Sequence, residues 1–83
     1  VCISPSRFFV HEDIRKKFTE AAVESARALK VGNGLEPGIE IGPMFERKAL
    51  DSTLGLIGDA TAKGAKVLTG GKRDARFDKG YFF

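Results

Sequence analysis

The chain has 83 residues, of which 42% are hydrophobic and 30% are charged, with a formal net charge of +3 at pH 7. This length provides one compact unit at most and excludes a multidomain protein. The apolar fraction, with 7 phenylalanines, excludes a disordered tail. No stretch approaches the roughly 20 apolar residues of a membrane span, and no signal-peptide pattern opens the chain. We therefore expect no membrane partner.

Both ends of the sequence indicate a piece of a longer polypeptide. The chain opens on Val1 rather than Met and stops in an aromatic run, Tyr81-Phe82-Phe83, whereas natural termini are more often polar and frayed. Its single cysteine, Cys2, cannot form an internal disulfide, which fits a reducing compartment. The sequence thus predicts a cytoplasmic fragment.

The basic residues are spread along the chain and acidic residues interrupt them, so the net field is weak. The densest run, Lys72 to Arg76, lies in a predicted turn and is typical of a solvated loop. No zinc-finger spacing, aromatic-basic RNA signature or heptad repeat accompanies it. We therefore predict no nucleic-acid partner.

A short β-prone run, Arg7 to Val10, is predicted first, followed by a long helix from about Glu12 to Lys30. Apolar and small side chains recur at helical spacing in this second segment and define one face: Ile14, Phe18, Ala21, Ala22, Ser25, Ala26 and Leu29. Acidic residues in its first turn suit the helix dipole. The Gly32-Asn33-Gly34 run is predicted to end this helix.

Residues 35–45 are predicted to form an irregular connection, with Pro37-Gly38 at the centre of a type II turn. A second helix is expected from about Arg47 to Lys63, with Gly64 just beyond its end. Two glycines inside it, Gly55 and Gly58, disfavour a helix, so we expect close packing there. Two more short strands are predicted, at residues 66–69 and from Tyr81 onward.

This order of strand, long helix, loop, helix, short strand and start of a further strand predicts an α/β fold. Strands joined through helices are expected to be parallel, with a right-handed crossover. Consecutive apolar residues in the short strands indicate strands covered on both faces. We therefore interpret residues 1–83 as part of one mainly parallel-sheet domain.

Few residues offer chemistry. Cys2 needs a lowered pKa or a nearby base to act as a nucleophile. His11 is the only histidine, and an extended chain would hold it far from Cys2, so the pattern favours a polar residue at the helix start. Alone, a single cysteine is more often a small buried hydrophobe. No set of metal ligands is apparent, so no metal is predicted.

Two glycine-rich runs are interpreted as turns. The run from Gly64 to Lys72 lacks the spacing of a phosphate-binding loop, because Arg73 stands where a Ser or Thr is required. The Gly32-Asn33-Gly34 run comes after a helix rather than a strand, which disfavours a dinucleotide fingerprint.

Read as a string, the sequence resembles the aldehyde dehydrogenase superfamily, in the part of its catalytic domain that begins at the nucleophile. The resemblance rests on five runs in family-like order, namely residues 1–12 (VCISPSRFFVHE), 29–33 (LKVGN), 41–44 (IGPM), 64–71 (GAKVLTGG) and 80–83 (GYFF). It covers essentially the whole chain. Each run is common by itself, but the five in sequence are specific.

The resemblance implies that Cys2 is the catalytic thiolate. It would add to an aldehyde carbonyl to give a thiohemiacetal, a hydride would leave to NAD or NADP, and water would hydrolyse the resulting thioester to a carboxylic acid. The backbone N–H of Cys2 would contribute to the oxyanion hole. Ile3 and Ser4 would flank the aldehyde pocket.

The resemblance also implies what these 83 residues lack. The oxyanion-hole Asn, the Glu that activates water, the rest of the catalytic domain and most of the cofactor-binding domain would lie outside them, so the isolated fragment is expected to be inactive. The cofactor-binding residues within this chain are unknown. Arg47 or Lys48 could reach a ribose or phosphate, but solvated helix charges are the favoured interpretation.

Alternatives stay open within and outside the superfamily. The parent protein could be a semialdehyde-specific member, or a CoA-acylating one that passes its thioester to a thiol. A basic, non-catalytic module that binds phosphate or other polyanions is the alternative from another class. The substrate partner is predicted to be a small-molecule aldehyde, and the resemblance implies a homo-oligomeric parent, either a dimer or a tetramer.

Overall fold

The computed structural model describes residues 3–83, in which two α-helices form. Helix α1 spans Glu12–Ala28 and helix α2 spans Arg47–Ala62. Both predicted helices are confirmed, each within two residues of its expected bounds. Within the described residues the two helices do not pack directly against each other. The connecting segments, rather than a helix–helix interface, therefore hold the structure together.

Helix α1 begins at a side-chain cap and ends where the chain bonds to a distant segment. His11 is the N-cap, with Glu12 and Asp13 in the first turn. Leu29 then turns to an extended conformation with ψ 130°. The backbone N–H of Lys30 donates to Glu40 Oε2 at 3.1 Å, and its carbonyl accepts from the N–H of Ile41 at 3.1 Å.

The prediction that the Gly32-Asn33-Gly34 run ends α1 was therefore wrong, because the chain leaves the helix three residues earlier. The hydrogen bonds of Lys30 to a distant segment replace a glycine cap. This is a tertiary contact, and local glycine chemistry does not reveal it.

Helix α2 ends on a glycine as the sequence predicts. Gly64 has φ +98°, its N–H donates to the Thr61 carbonyl at 3.0 Å, and the next N–H, that of Ala65, donates to the Ala60 carbonyl at 2.9 Å. This pair of bonds is the Schellman motif. Within residues 3–83 no close packing is found at Gly55 or Gly58, because no atom beyond the neighbouring helix backbone lies within 4 Å of a Cβ built at either position.

The predicted strands are not formed within the described residues. The β-pairing found there is one isolated parallel bridge, between Val31 and Ile41. Residues 7–10, 66–69 and 81–83 do not pair with one another, and a strand exists only through its neighbour's hydrogen bonds. The expected parallel sheet and its crossover are thus not confirmed.

Single backbone hydrogen bonds, rather than paired strands, connect residues 81–82 to other segments. The N–H of Met44 donates to the Tyr81 carbonyl at 2.9 Å, and the N–H of Asp74 donates to the Phe82 carbonyl at 3.1 Å. The type II turn at Pro37-Gly38 is confirmed, because Gly38 has φ +79° and the Ile39 N–H closes the turn onto Glu36.

The buried hydrophobic side chains in the described part of the chain are Leu50, at the start of α2, and Phe82. The Phe82 ring stacks on that of Phe77 with centroids 4.0 Å apart. Fourteen large hydrophobic side chains are exposed, Phe9 and Phe45 almost completely. Most of the apolar face predicted for α1 is among the exposed surface.

Candidate active site

The predicted nucleophile, Cys2, lies outside the described residues, so the structure does not test its role. The leading segment, residues 3–10, comes directly after it and has no helix or strand. Ile3 is 87% exposed and Ser4 is also exposed. The first two residues after Cys2 are therefore exposed within residues 3–83.

The leading segment is attached to α1 by an aromatic contact. The rings of Phe8 and Phe18 lie 5.9 Å apart between centroids, at 45°. Such tilted pairs are favourable beyond the area they bury. The end of the leading segment is thus held against the second turn of α1.

His11 is used locally. Its Nδ1 accepts a hydrogen bond from the backbone N–H of Asp13 at 3.2 Å and lies 3.6 Å from the Asp13 carboxylate. The interpretation of His11 as a polar residue at the start of the helix is confirmed. Because its imidazole caps α1, it has a structural partner that does not involve Cys2.

The charged residues at the start of α2 are exposed. Arg47 Nε lies 3.4 Å from Asp51 Oδ2, and the Arg47 side chain is 77% exposed. The neighbouring Lys48 is exposed as well, and Ala49 offers no side-chain hydrogen bond. This arrangement agrees with solvated helix charges and shows no phosphate-binding geometry.

The glycine runs are turns, as predicted. Gly70 and Gly71 have φ +62° and +73°, and no helix comes after them in the described chain. A pyrophosphate cradle needs a helix N-terminus behind its glycine loop. The described residues therefore do not form a site that fits a nicotinamide dinucleotide by themselves.

The basic run at residues 72–76 is largely engaged in its own loop. Arg76 Nε donates to Asp74 Oδ1 at 3.0 Å, and Arg73 donates to the Gly80 carbonyl at 3.1 Å. Hydrogen bonds from the Arg76 side chain and backbone lower the pKa of Asp74 to about 2. The interpretation of this run as a loop is confirmed.

An open cavity of about 740 Å³ lies between the end of α1 and residues 69–76. Its apolar lining includes Leu29, Val31, Ile41 and Phe83, and its lining contains no cysteine or histidine. Its charged lining includes Asp74 and Arg76, which are paired with each other, and it offers no thiol or imidazole nucleophile.

Two hydrogen bonds between α1 and residues 68–69 were not predicted from the sequence. The Arg27 guanidinium donates to the Leu68 carbonyl and to Thr69 Oγ1, both at 3.4 Å. The bonds join the last turn of α1 to the segment that was predicted as a strand. A basic residue in a last helical turn is equally expected from the helix dipole, so no sequence signal marks this partner.

Residues 3–83 contain neither a metal cluster nor a membrane-spanning helix. No group of three or more His, Cys, Asp or Glu side chains among them could hold a metal ion. Neither helix has the length and apolar character to cross a membrane.

The class of protein is established by comparison with known proteins. The model of the aldehyde dehydrogenase family matches residues 1–83. The chain is 42% identical over 82 residues to a mitochondrial aldehyde dehydrogenase of Leishmania tarentolae, covering 99% of this chain and 16% of that protein. It is 42% identical over 72 residues to a mitochondrial succinate-semialdehyde dehydrogenase of Oryza sativa subsp. japonica, covering 87% and 14%.

The fold agrees with a solved structure. The chain superposes on a betaine aldehyde dehydrogenase double mutant of Staphylococcus aureus, in complex with NAD+, with a TM-score of 0.93. The two are 34% identical, and the match covers 100% of this chain and 17% of that one. The chain belongs to the aldehyde dehydrogenase family, and it spans 14% to 17% of the length of these relatives.

Proposed function

We propose that the protein containing these residues oxidises an aldehyde to a carboxylic acid with NAD or NADP, and that Cys2 is its nucleophile. The observation that carries this proposal is the family match over the entire chain. The resemblance aligns the family's nucleophile with Cys2, the only cysteine of the sequence.

In the proposed reaction, this chain contributes one reacting group, the thiolate sulfur of Cys2. The Cys2 thiolate adds to the aldehyde carbonyl and forms a carbon–sulfur bond, which leaves a negatively charged oxygen on the tetrahedral carbon. The backbone N–H of Cys2 stabilises that oxygen. After oxidation, water cleaves the carbon–sulfur bond of the thioester and Cys2 returns as thiolate.

A bound nicotinamide would supply the hydride acceptor for the oxidation. Since the described residues do not form a dinucleotide site, we assign most of its contacts to residues outside this chain. We expect the isolated residues 1–83 to be inactive for the same reason.

The position of the leading segment in the sequence supports this arrangement. Ile3 and Ser4 come directly after the nucleophile, so we expect their side chains to flank the aldehyde pocket. The contact of Phe8 with Phe18 anchors the other end of the segment to α1. The segment that follows the nucleophile is thus held in place at its far end.

The substrate class is narrowed by the relatives' names. The Oryza protein is named for succinate semialdehyde and the Staphylococcus protein for betaine aldehyde. We include a semialdehyde substrate as a second candidate on that ground. A CoA-acylating activity has no comparable support, and the paired charges of residues 72–76 do not favour a polyanion-binding module.

The location and assembly of the parent remain proposals. The Leishmania and Oryza relatives are named as mitochondrial, so the cytoplasmic location predicted from the single cysteine is not confirmed. We propose a homo-oligomeric parent on the strength of the family resemblance. Light scattering of the purified full-length protein would measure its subunit number.

The test is an assay of the full-length protein and its Cys2→Ser variant. Reduction of NAD and NADP is monitored with a panel of simple aldehydes, semialdehydes and betaine aldehyde, and the product is identified as free acid or, with CoA present, acyl-CoA. We expect the variant to lose at least about a thousandfold in kcat, because a hydroxyl replaces the thiolate. Equal activity of both proteins would contradict the role of Cys2.

A matched control is Ser52→Ala, which changes one exposed side chain in α2. It should retain the parent's activity. Nicotinamide cofactor binding, measured by fluorescence for both variants, should also be retained, which would show that Cys2→Ser removes chemistry rather than the fold.

A further inference from the structure

Residues 33–36 form a turn in which a side chain takes part. The backbone carbonyl of Asn33 accepts from the Glu36 N–H at 2.9 Å, which closes the turn. The side-chain oxygen of Asn33, Oδ1, accepts from the Leu35 N–H at 3.1 Å. This second bond is an Asx turn, in which the side chain folds back over the peptide unit that follows it. The ring that the bond closes contains both the amide carbon of Asn33 and the backbone nitrogen of Gly34.

We propose that Asn33 is a deamidation site, at which the backbone nitrogen of Gly34 displaces the side-chain amide. The Gly34 nitrogen gives up its proton to hydroxide and forms a bond to Cγ of Asn33. The bond from Cγ to Nδ2 breaks, and Nδ2 takes up a proton from water and departs as ammonia. The product is a cyclic succinimide, which water opens at either carbonyl to give aspartate or isoaspartate. Water is the co-reactant, and no oxidation or reduction takes place.

The N–H of Leu35 favours this attack. As the Gly34 nitrogen adds to Cγ, negative charge develops on Oδ1 of Asn33, the oxygen to which the Leu35 N–H already donates at 3.1 Å. A donor that is in place before the charge develops stabilises the transition state more than the ground state. The bond from Glu36 to the Asn33 carbonyl holds the reacting groups in this turn. The groups that promote the reaction therefore lie within residues 33–36.

Gly34 provides the least hindered nitrogen for the attack. A side chain on the residue after an asparagine crowds the attacking nitrogen, and glycine has no side chain. A Cβ built at Gly34 meets no atom within 4 Å among residues 3–83, and the φ angle of Gly34 is not positive. Gly34→Ala should therefore keep the turn while it hinders the attacking nitrogen.

Peptide mapping of the full-length protein tests this proposal. Trypsin cleavage after Lys30 and Arg47 releases residues 31–47, in which Asn33 is the only side-chain amide. The folded protein is kept in mildly alkaline buffer for several weeks, and samples are digested briefly and analysed by chromatography and mass spectrometry. We expect the original peptide to decrease and two new forms to appear, the aspartate and the isoaspartate peptide. Both are heavier by the difference between an NH₂ and an OH group.

Two variants and a reference peptide make the result specific. Gly34→Ala should slow the conversion at least about tenfold without loss of stability, because its methyl group hinders the attack. Asn33→Gln keeps one amide in the peptide, but its cyclic intermediate needs a larger ring, so it should also convert at least about tenfold more slowly. A synthetic peptide of residues 31–47 is the reference without the fold.

Two results would overturn the proposal. In the first, the peptide from the folded protein keeps its mass over a period in which the synthetic peptide converts. In the second, Gly34→Ala or Asn33→Gln converts as fast as the wild type.

Discussion

Helix α1 and the C-terminal segment of residues 70–83 are stabilised in opposite ways. The helix satisfies its backbone locally and has no buried residue. The C-terminal segment has no regular structure, yet it contains the buried Phe82 and bonds to Met44 across the fold. Regular secondary structure and tertiary burial are therefore separate properties in this chain.

The difference arises from which contacts are nearby in sequence. Helical bonds join residues four apart, so the backbone of α1 is satisfied within the helix itself. The C-terminal segment depends on glycine conformations and on an aromatic stack that brings Phe77 and Phe82 together. Substitutions should accordingly cost more in the irregular segment than in the regular helix.

The largest effect is expected from Phe82→Ala in the full-length protein. Truncation removes a ring that is 8% exposed and stacked on Phe77, and it should lower the free energy of unfolding by about 3–5 kcal/mol. Denaturant unfolding measures the change. A matched truncation in α1 is Ile14→Ala, at a side chain that is 54% exposed among residues 3–83, and on the contacts made within these residues it should cost less. A larger loss at Ile14 would reverse the comparison.

A smaller loss is expected from Gly71→Ala. Gly71 has φ +73°, and an added Cβ would lie 2.6 Å from Val67 Cγ1, so both strain and a clash oppose the substitution. We expect a loss of about 1–3 kcal/mol in the free energy of unfolding. Thermal unfolding of the full-length protein checks this.

Gly34→Ala is the control for that loss, since Gly34 has no positive φ and no atom within 4 Å of a built Cβ. It should be neutral or slightly stabilising. Equal destabilisation by both substitutions would show that the conformation of Gly71 is not the cause.

The smallest effect on the free energy of unfolding is expected from breaking the Asp74–Arg76 pair. Because its pKa is lowered to about 2 in the folded protein, the Asp74 carboxylate contributes stability above its ordinary pKa of 3.8, and this is lost as the pH falls toward 2. The difference in unfolding free energy between the wild type and Asp74→Asn should be constant from pH 7 to 5 and shrink between pH 4 and 3. Urea unfolding at each pH measures it.

Arg76→Gln removes the main cause of the lowered pKa. When Asp74→Asn is made in the Arg76→Gln background, the resulting change in the free energy of unfolding should depend less on pH. A profile unchanged by Arg76→Gln would show that another group holds the Asp74 carboxylate.

Local patterns predicted local structure well. Helical spacing indicated the two helices, and turn chemistry indicated the Pro37-Gly38 turn and the glycine cap at Gly64. Strand propensity at residues 66–69 and 81–83 failed, because pairing depends on a neighbour that propensity does not specify. The predicted role of the Gly32-Asn33-Gly34 run as the stop of α1 failed as well, because Lys30 is bonded to Glu40 and Ile41 before the chain reaches these glycines.

Composition and spacing predicted even less of the candidate site. By those criteria Cys2 resembled an ordinary buried thiol, and only the ordered set of family-like runs indicated a nucleophile. The sequence predicted that His11 lies at the start of α1. It did not predict that the imidazole Nδ1 accepts a hydrogen bond from the Asp13 N–H.

The bridge between Val31 and Ile41 has a consequence for how the chain can vary in length. It brings together the two ends of residues 32–40, so the loop is closed at its base. Closing a flexible loop costs only about 0.6 kcal/mol more for each doubling of its length. The closed base should thus let the loop absorb extra residues near Leu35 and Glu36 without moving α1 or α2.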